Sequence, residues 1–150
     1  MTPGTPAIPR HALLACEPFS ARLGAAGVAA ALAGGLTAAG APAPDELVLA
    51  LDADDRATAA LLAHAGFHGR LLAARAVVIA VPSLAESTLA GSAAFELATL
   101  ARQSGVPCYA VAAKVELNDF DLRILDLQLV LRARGAGTLR QAGERLADVI

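Results

Sequence analysis

Apolar positions along the chain fall into short uninterrupted runs and longer stretches of helical character. The short runs are rich in Val, Leu, Ile and Ala, as expected of strands that are buried on both faces of a sheet. They predict five β-strands, at residues 12–16, 46–51, 76–81, 107–113 and 126–131. The stretches between them predict helices over residues 24–40, 54–67, from Ser83 to about Ser104, and 138–150.

Polar residues and glycines predict where several of these elements begin and end. Ser83 and Glu86 have the spacing of a capping box, which makes Ser83 the predicted N-cap of the third helix and Glu86 a capping residue. The second helix is predicted to end at Phe67, so that only a short turn joins it to the third strand. A second short turn, around Asn118 and Asp119, is predicted before the fifth strand.

The order of strands and helices predicts the fold class. Continuous apolar strands joined by helices are typical of a parallel sheet covered on both faces. With right-handed crossovers this arrangement becomes a doubly wound, mainly parallel five-stranded sheet, a three-layer sandwich of the Rossmann-like or flavodoxin-like kind. We expect a single α/β domain over residues 11–150, preceded by a loose tail over residues 1–10 that holds three Pro and one Gly.

Composition and charge narrow the classes of partner. The chain is 56% hydrophobic, carries a net charge of −2 and has a single Lys, Lys114, so nothing in it predicts a nucleic-acid-binding face. The uncharged stretch over residues 23–43 consists mainly of Ala and Gly, which gain little from lipid, so we expect no membrane partner and a cytoplasmic location. Cys16 and Cys108 fall near predicted strand ends without metal-ligand spacing, and both are predicted to be small buried thiols.

In a doubly wound sheet the loops that follow the strands gather along one edge, where ligands bind. Here those loops cover residues 17–22, 52–57, 82–88 and 114–119. Their candidate site residues are Glu17, Ser20, Arg22, Asp52, Asp54, Asp55, Ser83, Ser87, Thr88 and Lys114. Of these, Asp52 and Glu17 are the candidates for catalysis.

Each candidate group also has a purely structural interpretation. Asp52, Asp54 and Asp55 could bind Mg²⁺, which prefers clustered carboxylates, or could form an acidic start to a solvated helix. The third loop could hold a phosphate at a helix N-terminus, with Ser83, Ser87 and Thr88 nearby, or Ser83 could be a simple N-cap. Lys114 could meet a phosphate or a carboxylate, or could be an exposed charge.

Other motifs are absent or weak. The sequence contains no GxGxxG, no GxxxxGK[ST] and no GxSxG, so dinucleotide-binding, P-loop and α/β-hydrolase signatures are missing. His64 and His68 have the i, i+4 spacing of a metal-binding pair. Gly66 lies between them and Gly69 follows, which favours a fraying helix end instead.

Three segments together resemble the glycerate kinases that phosphorylate D-glycerate with Mg-ATP. "ACEPFSARLGAAGVAAAL" (15–32) is similar to the family's opening motif, APDSFKGSLSAxEVAxAI. "AVPSLAESTLAGSAA" (80–94) is similar to its GEGRLDxQTLxGKAP motif, and "GVPCYAVAAKVEL" (105–117) to its GVPVVALAGRVxL. The resemblance covers most of residues 12–150 and implies a base domain with a doubly wound sheet.

The chain departs from this family at its charged positions. The family's first-loop Asp and Lys fall on Glu17 and Ser20, and "DADDRA" retains only Asp52 of the family's Asp-Gly-Gly-Glu-Gly motif. In the third loop the family's Glu, Arg, Asp and Lys fall on Val81, Ser83, Ala85 and Ser92, in that order. The large domain that the family inserts before the third strand is also missing.

These departures predict a degenerate glycerate-kinase-like domain without kinase chemistry of its own. We expect it to act as a binding or interaction module, as a homodimer or with another protein partner, and to need no cofactor. The alternative is a residual glycerate kinase in which Glu17, Arg22, Asp52 and Lys114 form a reduced site, completed by a partner chain and using Mg-ATP. A third hypothesis is an unrelated small α/β module.

Overall fold

A computed structural model gives the structure of the protein and describes residues 11–48, 66–85 and 93–150. Within them the chain forms one sheet of five parallel strands in the order β2-β1-β3-β4-β5. The strands are β1 (Leu13–Cys16), β2 (Asp45–Val48), β3 (Val77–Leu84), β4 (Cys108–Val115) and β5 (Leu127–Arg132). The predicted parallel five-stranded sheet is confirmed.

Helices cover both faces of this sheet, because alternate strand residues point to opposite sides. They are α1 (Ala25–Ala38), α2 (Phe67–Ala73), α3 (Ala93–Gln103), α4 (Asp119–Ile124) and α5 (Ala136–Ala147). On one face α1 and α5 pack with Leu14 and Val78, and on the other α2 and α3 pack with Leu13 and Ile79. The predicted doubly wound, three-layer fold is confirmed.

The two helices of the first face approach each other through glycine. Gly35 of α1 and Gly143 of α5 are both buried. A Cβ atom on Gly35 would overlap the carbonyl oxygen of Arg140, and one on Gly143 would overlap the carbonyl oxygen of Leu32. The backbones of α1 and α5 are therefore in direct contact, which only residues without a side chain permit.

One predicted turn is a helix. Residues 67–73 form α2, although the pattern predicts a turn between Phe67 and the third strand. Phe67, Leu71 and Ala74 lie at positions i, i+4 and i+7, the spacing of a short amphipathic helix. All three are buried in the core on the face of the sheet that α2 and α3 cover. Gly66 has a φ of 63°, a left-handed conformation that glycine adopts readily, and turns the chain into this helix. The predicted helix over 54–67 lies, apart from its last two residues, outside the described residues.

Strands β3 and β4 run further than the pattern predicts. Ser83 pairs with Lys114 and Leu84 pairs with Val115, so both strands continue beyond the predicted ends at residues 81 and 113. Leu84 is fully buried, and its burial holds the end of β3 against the core in spite of Pro82. Ser83 therefore lies in a strand, and its prediction as the N-cap of the third helix is wrong. Lys114 lies in β4 and not in the loop after it.

Two further polar contacts fix short elements. Residues 119–124 form α4 where a turn is predicted, because the Oδ1 atom of Asn118 accepts a hydrogen bond from the Asp121 backbone N–H at 2.8 Å and caps the helix.

Arg70 of α2 donates two hydrogen bonds to the carboxylate of Asp45, at 2.7 and 2.8 Å, and ties α2 to β2. This pairing holds the pKa of Asp45 below its usual range, chiefly through the hydrogen bond from Arg70.

The stretch over residues 23–43 contains the whole of α1 and the first residues after it. None of the helices within the described part of the chain combines the length and the apolar character that crossing a membrane requires.

Candidate functional site

The strand order identifies where a ligand would bind. In an open parallel sheet the crevice lies outside the carboxyl ends of two neighbouring strands whose connections run to opposite sides. In the order β2-β1-β3-β4-β5 these strands are β1 and β3. Glu17 follows β1 directly and Ala85 follows β3, so the segments at the crevice begin at these two residues.

Glu17 is held at this crevice by the sheet itself. Its backbone N–H donates a hydrogen bond to the carbonyl oxygen of Ala80, at 2.9 Å, which extends the pairing of β1 with β3 by one step. The side chain of Glu17 is 8% exposed, and it is the one buried charged residue in the described part of the chain. Burial raises the pKa of its carboxyl from 4.5 to about 7. The carboxyl is therefore poised to gain or lose a proton near neutral pH, as a general acid or base must be.

The next two candidates on this segment, Ser20 and Arg22, lie in a tight turn before α1. The Oγ atom of Ser20 accepts hydrogen bonds from the backbone N–H groups of Arg22 and Leu23, at 3.3 and 3.1 Å. Ser20 therefore closes the turn and is exposed. The side chain of Arg22 is also exposed, and it forms no ion pair with any residue that the structure describes.

Ser83 and Lys114 are brought together by the pairing of β3 with β4. Ser83 is half-buried, whereas Lys114 is exposed. Both lie at the carboxyl edge of the sheet. Ser83, in β3, is one strand away from Glu17, and Lys114, in β4, is two strands away. Of the predicted candidates, Glu17, Ser83 and Lys114 thus share the carboxyl edge of the sheet.

The remaining candidates lie outside the described residues. These are Asp52, Asp54, Asp55, Ser87 and Thr88, together with the capping candidate Glu86 and the histidine His64. His68, the second member of the predicted histidine pair, is exposed on α2. Over residues 11–48, 66–85 and 93–150, no group of three or more His, Cys, Asp or Glu side chains is arranged to hold a metal ion.

Both cysteines are buried and free, as predicted. Cys16 is fully buried and Cys108 is 3% exposed. Burial raises the pKa of each thiol from 9.0 to about 12, with a smaller contribution from the carboxylate of Glu46 at Cys16 and of Asp126 at Cys108. A thiol with so high a pKa stays protonated at neutral pH, so neither cysteine is equipped to act as a nucleophile or a metal ligand.

A basic cleft at the carboxyl edge of the sheet was not predicted from the sequence. It has a volume of about 450 Å³ and lies between the ends of β4 and β5 and the start of α5. Its polar lining residues are Lys114, Glu116, Arg132, Arg134 and Thr138. The signal in the sequence is the run "LRARGAGTLR", in which two arginines alternate at the end of a strand and glycines open the following helix.

Comparison with known proteins adds no family assignment to this geometry. No protein-family model matches the chain, and a search of curated proteins finds no match.

Proposed function

We propose that the protein is a degenerate glycerate-kinase-like domain that binds a ligand or a partner and does not transfer phosphate. The observation that carries the proposal is the position of Val81, which falls where the resembled family keeps a Glu. Val81 is 2% exposed, belongs to the core and pairs with Ala112 in the sheet. A position that would carry a catalytic charge therefore serves the packing of the sheet.

The next family position supports the same proposal. Ser83, where the family keeps an Arg, lies within β3 and pairs with Lys114. Pro82, where the family keeps a glycine, lacks a backbone N–H and so has no donor for a phosphate oxygen. Phosphoryl transfer depends on charge neutralisation and on backbone donors around the transferring group, and the end of β3 is built for strand pairing instead.

The test is a measurement of ADP formation by the purified protein with D-glycerate and Mg-ATP. We expect a rate equal to the background without protein, because the charged groups that stabilise the transition state are replaced. Asp52→Ala is the matched variant, since Asp52 is the best remaining counterpart of a family carboxylate. Turnover that is present in the natural protein and abolished in Asp52→Ala would overturn the proposal.

A second candidate function, a residual glycerate kinase, is favoured by Glu17 alone. A carboxyl that is buried at the crevice with a pKa near 7 is the kind of group that enzymes use for proton transfer. In this hypothesis Glu17 accepts the proton of the glycerate hydroxyl, Arg22 and Lys114 neutralise phosphate charge, and Asp52 holds Mg²⁺. A partner chain completes the cleft.

The residual-kinase hypothesis predicts that the native protein binds nucleotide. Mg-ATP at about 100 times its Kd should raise the melting temperature by roughly 5 °C or more, since ligand binding to the folded state stabilises it. Differential scanning fluorimetry with Mg-ATP, and with Mg²⁺ alone as the control, measures the shift. An unchanged melting temperature at millimolar Mg-ATP would rule this hypothesis out.

A further inference from the structure

The basic cleft between β4, β5 and the start of α5 is of a size that suits a small ligand. Its volume of about 450 Å³ falls within the range of small-molecule sites. It opens at the carboxyl edge of the sheet, where parallel sheets bind their ligands. The cleft is two strands away from Glu17, on the other side of β3.

Positive charge is concentrated in this cleft beyond what the composition explains. The whole chain carries a net charge of −2, yet three of its twelve Lys and Arg residues, Lys114, Arg132 and Arg134, line this one cleft. Among the described residues that line it, Glu116 is the one acidic residue. None of these four side chains forms an ion pair with a residue in the described part of the chain. Among the described residues, the cleft therefore holds an excess of two positive charges that no ion pair neutralises.

Strand pairing fixes these cations near one another. Ala112 of β4 pairs with Arg132 of β5, and the backbone N–H of Ala133 donates a hydrogen bond to the carbonyl oxygen of Ala112. Lys114 lies two residues beyond Ala112, so the alternation of side chains in β4 places it on the same face of the sheet as Arg132. Arg134 lies two residues beyond Arg132, past the end of β5, and lines the same cleft. Like charges at neighbouring positions of adjacent strands are destabilising unless a counter-ion lies between them.

The start of α5 lies beside the same cleft, which Thr138 lines. Gly135 is the N-cap residue and has no side chain to accept a hydrogen bond from the first N–H groups of the helix. The Oγ1 atom of Thr138 accepts hydrogen bonds from the N–H groups of Arg134 and Gly135, at 3.0 and 3.1 Å, which fixes the turn that presents Arg134. An uncapped helix start favours a negative charge nearby, in addition to the three side-chain cations.

From these charges and this geometry we propose that the cleft binds the phosphate group of a small molecule. Lys114, Arg132 and Arg134 contact the phosphate oxygens. Arginine side chains bind phosphate oxygens in a bidentate manner, and lysine adds a point charge. The inference deepens the binding role proposed above. It rests on that proposal only because both place a ligand at the carboxyl edge of the sheet. Phosphate binding is measured without glycerate or ATP, so its failure is distinguishable from a failure of the kinase assay.

The test is isothermal titration calorimetry, in which the full-length protein is titrated with inorganic phosphate and, separately, with phenyl phosphate. Potassium chloride at matched ionic strength controls for general screening, and citrate controls for binding of any multivalent anion. The variants are Lys114→Gln and Arg134→Gln, both at exposed positions. The matched control is Arg123→Gln, which removes the same charge from an exposed position on α4.

We expect both phosphates to bind the natural protein and the Arg123→Gln variant with equal affinity. Lys114→Gln and Arg134→Gln should each weaken binding by roughly tenfold or more, because each loses charged hydrogen bonds to phosphate. Without ligand, these two variants should melt no lower than the natural protein, since they remove repulsion. Phosphate binding no tighter than chloride, or an equal loss in Arg123→Gln, would overturn the proposal. Citrate binding as tight as phosphate would overturn the assignment to phosphate.

Discussion

Gly35→Ala is expected to destabilise the fold by roughly 2–3 kcal/mol, the cost of forcing extra atoms into a closely packed interface. The added methyl group would overlap the carbonyl oxygen of Arg140, which belongs to the backbone of α5 and cannot rotate away. Helices α1 and α5 would have to separate, and the apolar contacts on both sides of Gly35 would loosen. For a chain of this length we expect the melting temperature to fall by about 5–10 °C.

The neighbouring residue supplies a matched control for this prediction. Gly34 lies on the same helix, but a Cβ atom there would come only within 3.7 Å of the Nη1 atom of Arg140, which is an ordinary contact with a flexible side chain. Gly34→Ala should therefore stabilise the protein by up to about 1 kcal/mol, the difference in helix propensity between Gly and Ala. Urea unfolding of both variants gives the two values. If Gly35→Ala proved as stable as Gly34→Ala, the close contact between α1 and α5 would be refuted.

Glu17→Gln is expected to remove a pH dependence from the stability of the protein. The carboxyl of Glu17 ionises near pH 4.5 in the unfolded chain and near pH 7 in the folded protein, because the folded state buries it. Between these values the folded protein binds a proton that the unfolded chain releases. The free energy of unfolding therefore falls as the pH rises from about 4.5 to about 7. The full shift corresponds to about 3 kcal/mol, and solvent near the carboxyl reduces this to roughly 2 kcal/mol.

The comparison that isolates this effect is the difference between variants at two pH values. At pH 8 we expect Glu17→Gln to be more stable than the natural protein by roughly 2 kcal/mol, and at pH 4 the two should be equal. Glu96→Gln is the matched control, because Glu96 is exposed on α3. This substitution should leave the free energy of unfolding unchanged at both pH 4 and pH 8. Parallel pH profiles for Glu17→Gln and the natural protein would show that Glu17 is not buried as a carboxylic acid.

The centre of the sheet could be predicted from the sequence because β1 and most of β3 are apolar on both faces. Leu13 to Cys16 and Val77 to Val81 are buried without interruption, and an uninterrupted run needs no knowledge of its neighbours to be recognised. The ends of β3 and β4 could not be predicted in the same way. Pro82 and Lys114 are typical of loops, and only the pairing across the two strands keeps them in the sheet.

The candidate site was predictable in position but not in chemistry. Glu17 could be placed at the carboxyl edge from its distance to a strand, whereas its burial depends on residues from the rest of the fold. The basic cleft combines Lys114 with Arg132 and Arg134, which are far apart in sequence and meet only through strand register. Each of these cations taken alone resembles an ordinary surface charge.

The glycine contact between α1 and α5 also bears on how the chain reaches its native state. Gly35 and Gly143 are separated by about a hundred residues, so their contact closes a long loop and incurs the entropy that such closure costs. We expect such a contact to form late, once the sheet that connects β1 to β5 through β3 and β4 has assembled. We therefore expect folding to be limited by long-range encounters and to be slower than that of helical bundles, whose contacts are mostly local.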